Sequence, residues 1–296
     1  MFIGPFYAFA QNGFGEDAVQ VILRTILAAV SFSLASSGCY VFNDLMDVES
    51  DRAHPRKRRR PIASGAVSER QGKVFAVLLL IGAALALVPL LGSARWVGLL
   101  VGLHVLNVLF YSVRLKHIVI LDVMVLSIGF VLRMLGGCAA ADVAPSTWLL
   151  NSTLFLSMFL AFGKRLGERR SMGSPEAAVA ARTVQGFYSD QLLRMVVVVT
   201  AVATLLTYAG YTQTREANFI FVLSDAGGFS LNLLWLTILP AMYALLRSIT
   251  LLERGDYDDP TELAMRDIPF QIAAGVFALI TVLLVLVRPM LESSGG

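Results

Sequence analysis

Charge is what this sequence has least of. Only 15% of its 296 residues are Asp, Glu, Lys or Arg, against roughly 25% in soluble globular domains. With 56% hydrophobic residues and a mean hydropathy of +0.70, the chain is excluded from the soluble classes. Cysteine is almost as scarce. Cys39 and Cys138 sit in apolar runs and read as small apolar fillers, not as a disulfide or a thiolate metal site. His54, His104 and His117 have no metal-ligand spacing. There is no Gly-rich phosphate loop, no serine nucleophile elbow, no repeat of roughly 20–50 residues and no low-complexity linker. The basic residues cluster beside apolar runs, so nucleic-acid binding finds no support.

What is present is a series of long apolar runs: 19–42, 74–92, 95–112, 118–140, 147–163, 192–211, 229–247 and 269–288. Each approaches the ~20 residues that cross a hydrocarbon core. In lipid the backbone must satisfy its own polar groups, which such runs do as helices. Met1 to Ala10 reads as the stub of a further helix. It lacks the basic flank and small-residue cleavage site of a signal peptide. The expected fold is all-α: one polytopic membrane helical bundle over 1–296, with about nine transmembrane helices, the first truncated. Small residues in the spans suit close contacts within or between chains, which leaves the oligomeric state open.

Orientation follows from Lys and Arg. Segments 43–73, 113–117, 164–191 and 248–268 are basic, while the alternate links carry few cations. The basic loops are therefore expected in the cytoplasm and the C-terminus outside, in an inner or plasma membrane.

The densest chemistry lies where the first long run ends. Asn43, Asp44, Asp47 and Asp51 fall at i, i+1, i+4 and i+8, so on a helix the three aspartates form an acidic stripe. Like charges on one face repel unless a cation sits between them, and carboxylates so spaced suit a hard ion such as Mg²⁺. Glu49 points elsewhere. Directly after come Arg56, Lys57, Arg58, Arg59 and Arg60, then Pro61-Ile-Ala-Ser-Gly65, a turn back to the membrane. Arg56 and Arg59 read as anchors to lipid phosphates. Lys57, Arg58 and Arg60 are candidate ligands of substrate phosphate.

Further candidates carry alternatives. Tyr111 and Lys116 flank a short basic link. Asp122 and Arg133 lie within a span, on one face but too far apart to pair, and each suits either a site or a structural ion pair. Lys164, Arg165 and Glu168 follow the run ending at Gly163; Lys164 and Glu168 also have the spacing of a mutual salt bridge. Asp256, Asp258 and Asp259 precede Pro260, which reads first as a helix cap and second as another metal site.

The Asn43-Asp44-x-x-Asp47-x-x-x-Asp51 pattern, continued by Arg60-Pro-Ile-Ala-x-Gly65, resembles the first aspartate-rich motif of the UbiA superfamily of intramembrane prenyltransferases. The resemblance covers nearly the whole chain. Asp51-Arg-x-His54-Pro55-x-Lys57-Arg58-x-Arg60, Tyr111-Ser-x-x-Leu115-Lys116, Gly129-Phe-Val-Leu-Arg133, Gly163-Lys164-Arg165-x-x-Glu168 and Glu262-Leu-Ala-x-Arg266-Asp267 look most like the decaprenyl-phosphate phosphoribosyltransferases. That implies transfer of 5-phosphoribose from phosphoribosyl diphosphate to a polyprenyl phosphate at a bilayer, with a place in cell-wall biogenesis. It implies Mg²⁺ on Asp44, Asp47 and Asp51, with Asn43 orienting a ligand. Substrate would meet Lys57, Arg58, Arg60, Tyr111, Lys116, Lys164, Arg165 and Glu168, with phosphates on Lys57, Arg58, Arg60, Lys164 and Arg165. The chain departs from prenyl-transferring members at Lys164-Arg165-Leu-Gly-Glu168-Arg169-Arg170, where those carry a second aspartate-rich motif. The competing expectations are a prenyltransferase using a prenyl diphosphate, and a non-enzymatic transporter of an anionic lipid.

Overall fold

The computed structural model describes residues 18–53, 57–171, 186–214, 220–222, 230–257 and 260–294. The expected stub at 1–10, His54, Arg56, Asp258 and Asp259 lie outside the described residues. In chain order the helices are α1 (Ala18–Met46), α2 (Val48–Ala53), α3 (Glu69–Leu87), α4 (Arg95–Val113), α5 (Leu121–Ala140), α6 (Thr147–Ser171), α7 (Asp190–Thr214), α8 (Ile238–Arg254), α9 (Pro260–Arg266) and α10 (Ile268–Ser294). The one departure from the expected all-α architecture is a short antiparallel ribbon, β1 (Ile220–Val222) with β2 (Ser230–Asn232), in which Phe221 pairs with Leu231.

Among the described residues seven helical stretches are long and apolar enough to cross a membrane: Ala18–Met46, Glu69–Leu90, Arg95–Val113, Leu121–Ala140, Asp190–Thr214, Leu233–Arg254 and Ile268–Val287. Their outer faces keep large apolar side chains in the open, as Leu78 and Leu85 do on α3 and Ile272 and Leu286 on α10. Such faces suit lipid and would be unmanageable in water. The run at 147–163 is helical too, but α6 does not end at Gly163. It continues two turns to Ser171 and carries Asn151, Ser152, Thr153 and Ser157, so it is less apolar than the seven.

Contacts group the helices into two compact units, one built from α1–α5 up to Pro145 and the other from α6–α10 beyond Ser146. In the first, Ala28, Phe32 and Ala35 of α1 pack with Ala83, Val97, Val101 and Ala140. Phe32 presses its ring on the bare backbone of Gly136, where an added Cβ would fall well inside contact distance. Several polar groups inside the spans bond within the unit, while His104 Nδ1 is buried without a hydrogen-bond partner among the described residues. Ser31 Oγ donates to Ala83 O (2.9 Å), and Ser36 and Ser127 donate to carbonyls of their own helices. Arg133 lies within this unit, donating to Ser36 Oγ (3.1 Å) beside the His104 ring and sitting 5.6 Å from the Phe130 ring centroid. Asp122 is fully buried in the first turn of α5.

In the second unit Phe159, Phe162, Leu166, Leu193, Leu252 and Leu263 form the interior, with Tyr188 meeting Phe162 edge to face. Gly210 takes the Trp148 ring against its backbone, as Gly136 takes Phe32. Helix α8 closes on Gly255, whose φ of 74° needs no Cβ, with Asp256 N–H returning to Leu251 O (3.2 Å). Helix α10 opens on Asp267. That carboxylate accepts from the Phe270 N–H (2.9 Å) and takes the Arg247 fork at 3.2 and 2.9 Å.

Two outcomes follow. Gly210→Val drives a branched side chain into Trp148 and should lower stability by about 1–3 kcal/mol, read as thermal unfolding of the purified protein in detergent. The Arg247 hydrogen bonds hold the Asp267 carboxyl below its ordinary value, with the Phe270 N–H adding to the effect and burial opposing it. A carboxyl lowered by folding stabilises above its unfolded pKa and loses that contribution as pH falls through the folded one. Asp267→Asn should therefore be weaker than wild type at neutral pH, and the gap should close below about pH 4, read by unfolding across a pH series.

Candidate functional site

The end of α1 is where acidic residues enter the helix. Helical hydrogen bonding continues across the junction with α2: Asp47 N–H reaches Asn43 O (3.0 Å) and Asp51 N–H reaches Asp47 O (2.8 Å). Residues 43, 47 and 51 therefore stay on one face, and Asp44 lies two turns from Asp51. Asp51 is nearly fully buried, whereas Glu49 is exposed, as its place off the stripe required.

A single nitrogen ties the stripe together. Arg60 Nη1 donates to Asp44 Oδ1 at 2.7 Å and to Asp51 Oδ2 at 2.8 Å. The chain after α2 explains how Arg60 gets there. Lys57–Arg59 make a 3-10 turn, Arg60 N–H closes on Lys57 O (2.9 Å), and Ser64 N–H closes on Arg60 O (2.8 Å). Ile62 and Ala63 are buried beneath this turn, and Arg52 Nε donates to Ala63 O at 3.3 Å. Gly72 leaves room for the peg, since a Cβ there would meet Ile62 Cδ1 at 3.0 Å. Gly65, at φ 81°, turns the chain in a conformation that a side chain resists. Ser68 then opens α3 with a capping box to Gln71.

The third carboxylate has its own cation. Lys116, in the 3-10 turn Leu115–His117 after α4, donates to Asp47 Oδ1 at 2.5 Å and to Asn43 Oδ1 at 3.4 Å. Asn43 Nδ2 donates to Asp47 Oδ2 at 3.1 Å, so the amide orients Asp47. Shortly beyond, Ile120 holds φ 68°, an uncommon backbone for a β-branched residue and one that Lys116 and Asp122 flank. Tyr111 is half-buried in the last turn of α4. Lys57 lies within electrostatic reach of Asp44, and Arg58 is exposed.

This unit therefore brings together Asn43, Asp44, Asp47, Asp51, Arg60 and Lys116. Arg60 and Lys116 contact the carboxylates, where the sequence suggested phosphate ligands. In this conformation no group of three His, Cys, Asp or Glu among the described residues is arranged to hold a metal. Arg60 and Lys116 instead pair with oxygens of all three aspartates. The donor set itself, three carboxylates and an amide oxygen, has the hard-oxygen chemistry that Mg²⁺ takes.

The other candidates lie on α6 in the second unit. Arg165 is buried and donates to Glu168 Oε2 at 3.5 Å, one turn away. Arg169 pairs with Asp190. Arg170 reaches Asp190 at 3.4 Å and Glu253 at 3.3 Å, and Arg194 reaches Glu253 at 2.9 Å. The basic end of α6 is thus less bare than its sequence suggested, because α7 and α8 each bring a carboxylate to it. Asp190, the first residue of α7, had a signal of its own, as acidic residues favour helix starts. Among the described residues in these ion pairs and Lys164 beside them, cations outnumber carboxylates: Lys164, Arg165, Arg169, Arg170 and Arg194 against Glu168, Asp190 and Glu253.

Comparison with known proteins places this geometry. A family model described as the UbiA prenyltransferase family matches residues 1–275. The chain is 33% identical over 264 residues to the decaprenyl-phosphate phosphoribosyltransferase of Mycolicibacterium smegmatis, covering 88% of this chain and 80% of that protein. It is 30% identical over 281 residues to the decaprenyl-phosphate phosphoribosyltransferase of Corynebacterium glutamicum, covering 93% and 81%. A solved UbiA homologue from Archaeoglobus fulgidus, bound to DMAPP and Mg²⁺, has the same fold, with a TM-score of 0.65, 16% identity, and 97% and 95% of the two chains covered.

Proposed function

The chain belongs to the UbiA prenyltransferase family and is an integral membrane transferase, and from that premise we propose that it moves 5-phosphoribose from phosphoribosyl diphosphate to a polyprenyl phosphate, releasing diphosphate. The anomeric C–O bond to diphosphate breaks, and a bond from that carbon to an acceptor phosphate oxygen forms. The observation that most supports a sugar donor is the end of α6. Lys164-Arg165-Leu-Gly-Glu168-Arg169-Arg170 stands where prenyl-transferring members carry acidic residues, and its excess of cations suits an anion better than a second metal. The likeness to two decaprenyl-phosphate phosphoribosyltransferases over some four-fifths of their length supports the same reading.

Asp44, Asp47 and Asp51 are the residues that would hold Mg²⁺, with Asn43 orienting Asp47. Bound there, the ion supplies neutralisation of charge on a departing diphosphate. Lys57, Arg58, Arg60 and Lys116 grip diphosphate oxygens, and Tyr111 borders the same basic turn. Lys164 and Arg165 hold a second phosphate, with Glu168 fixing Arg165. The acceptor phosphate is an anion at neutral pH, so attack on the sugar carbon needs no strong general base. The Asp44 end of α1 faces the cytoplasm, where phosphoribosyl diphosphate and Mg²⁺ are available.

Asp44→Asn and Asp47→Asn should each abolish transfer while the protein remains folded. The assay incubates purified protein with radiolabelled phosphoribosyl diphosphate and polyprenyl phosphate, with and without EDTA, and a parallel arm supplies a prenyl diphosphate. A labelled lipid formed only with metal and only from the sugar donor supports the proposal. Product from the prenyl diphosphate instead overturns the donor, and full activity of both variants overturns the metal site.

A further inference from the structure

The acidic stripe is neutralised from within the chain, and that bears on how the site loads. Asp44, Asp47 and Asp51 bring three negative charges; Arg60 and Lys116 bring two positive ones, at 2.5–2.8 Å from the carboxylate oxygens. Neither cation comes from the stripe's own helix. Arg60 arrives on the turn after α2 and Lys116 on the turn after α4, so each is held by a short turn whose side chain can change partner without moving a span. Both cations prefer a diphosphate to a carboxylate, since it carries more charge and more acceptor oxygens. A divalent cation arriving alone must compete with them for the same oxygens. A diphosphate arriving with it can draw them off.

We infer that Arg60 and Lys116 are exchangeable counter-cations: they occupy the aspartates in the empty site and transfer to the diphosphate on loading, so that divalent cation and diphosphate bind with strong positive cooperativity. This rests on the metal–diphosphate reading of the stripe given above. It adds an order of events that the reading does not contain: metal alone is held weakly, and so is diphosphate alone. Linkage makes the two effects equal, because each ligand raises the affinity of the other by one factor. If each cation leaves its carboxylates one time in ten, each makes the metal bind about tenfold more weakly than to a stripe free of it.

The inference predicts a gain of affinity from removing a site residue. In detergent-purified protein, Mn²⁺ serves as probe, and its free concentration is read by electron paramagnetic resonance without any diphosphate. Lys116→Gln and Arg60→Gln should each bind Mn²⁺ about tenfold more tightly than wild type. Arg114→Gln removes an equal charge from an exposed position two residues from Lys116 and should change the affinity by less than about twofold. Wild type should bind radiolabelled inorganic diphosphate at least about tenfold more tightly with Mn²⁺ than with EDTA, and the two variants should lose most of that factor.

Arg60→Gln leaves buried Asp51 without its guanidinium; should that variant fail to fold by circular dichroism, Lys116→Gln decides the matter, as Asp47 is more exposed. Unchanged or weaker Mn²⁺ binding by Lys116→Gln overturns the exchange, as does an equal gain in Arg114→Gln. If Asp47→Asn nevertheless loses Mn²⁺, the metal site stands and the exchange alone has failed. If wild type holds no Mn²⁺ with or without diphosphate, the reading of the stripe has failed as well.

Discussion

Two carboxylates two helical turns apart can share one guanidinium nitrogen only if the chain between them keeps helical register. That continuity, kept by the Asp47 and Asp51 N–H groups across the α1–α2 junction, is what the charged end of the first unit depends on. With it, Asp44 and Asp51 converge on Arg60 and Asp47 is left to Lys116. Loss of helical register at Asp47 would turn Asp51 away and leave Arg60 with one partner. The turns that deliver the two cations are in turn fixed by apolar means: Ile62 buried against the space at Gly72, and the capped start of α3.

The two units carry charge in contrasting ways. In the first, acids are native to the long helix and cations are brought on turns. In the second, cations are native to α6 and acids are brought by α7 and α8. In each pattern a charged helix end is met by the opposite sign from other parts of the same unit. Both pairings keep charge from facing lipid uncompensated, which would be costly in a chain this apolar.

Long apolar runs made the spans legible, because a bilayer demands length and uniform hydropathy and little else. The stripe was legible for the same kind of reason: helical spacing is a local property, and Asn43 to Asp51 lie within three turns. Partner choice was not legible. Arg60 sits in a block of five cations, and nothing in the block marks it as the one that folds back 16 residues to Asp44; burial of Ile62 and the path of the turn decide that. Lys116 to Asp47, 69 residues apart, is a purely tertiary contact. At the end of α6 hydropathy marked only where the apolar run stops, at Gly163, and not where the helix stops, at Ser171. With Asp190 and Glu253 beside it, the helix can run on.

The Arg60 bridge has a consequence for biogenesis. Many metal sites are coupled to folding, since their ligands repel one another until the ion arrives. Here the repulsion is cancelled by residues of the same chain, each only one turn or one hairpin of helices away. The first unit can therefore insert and pack in the membrane before it has met any divalent ion. On the proposed metal reading of the stripe, the abundance of the folded protein would be uncoupled from metal supply, and only its working state would depend on it.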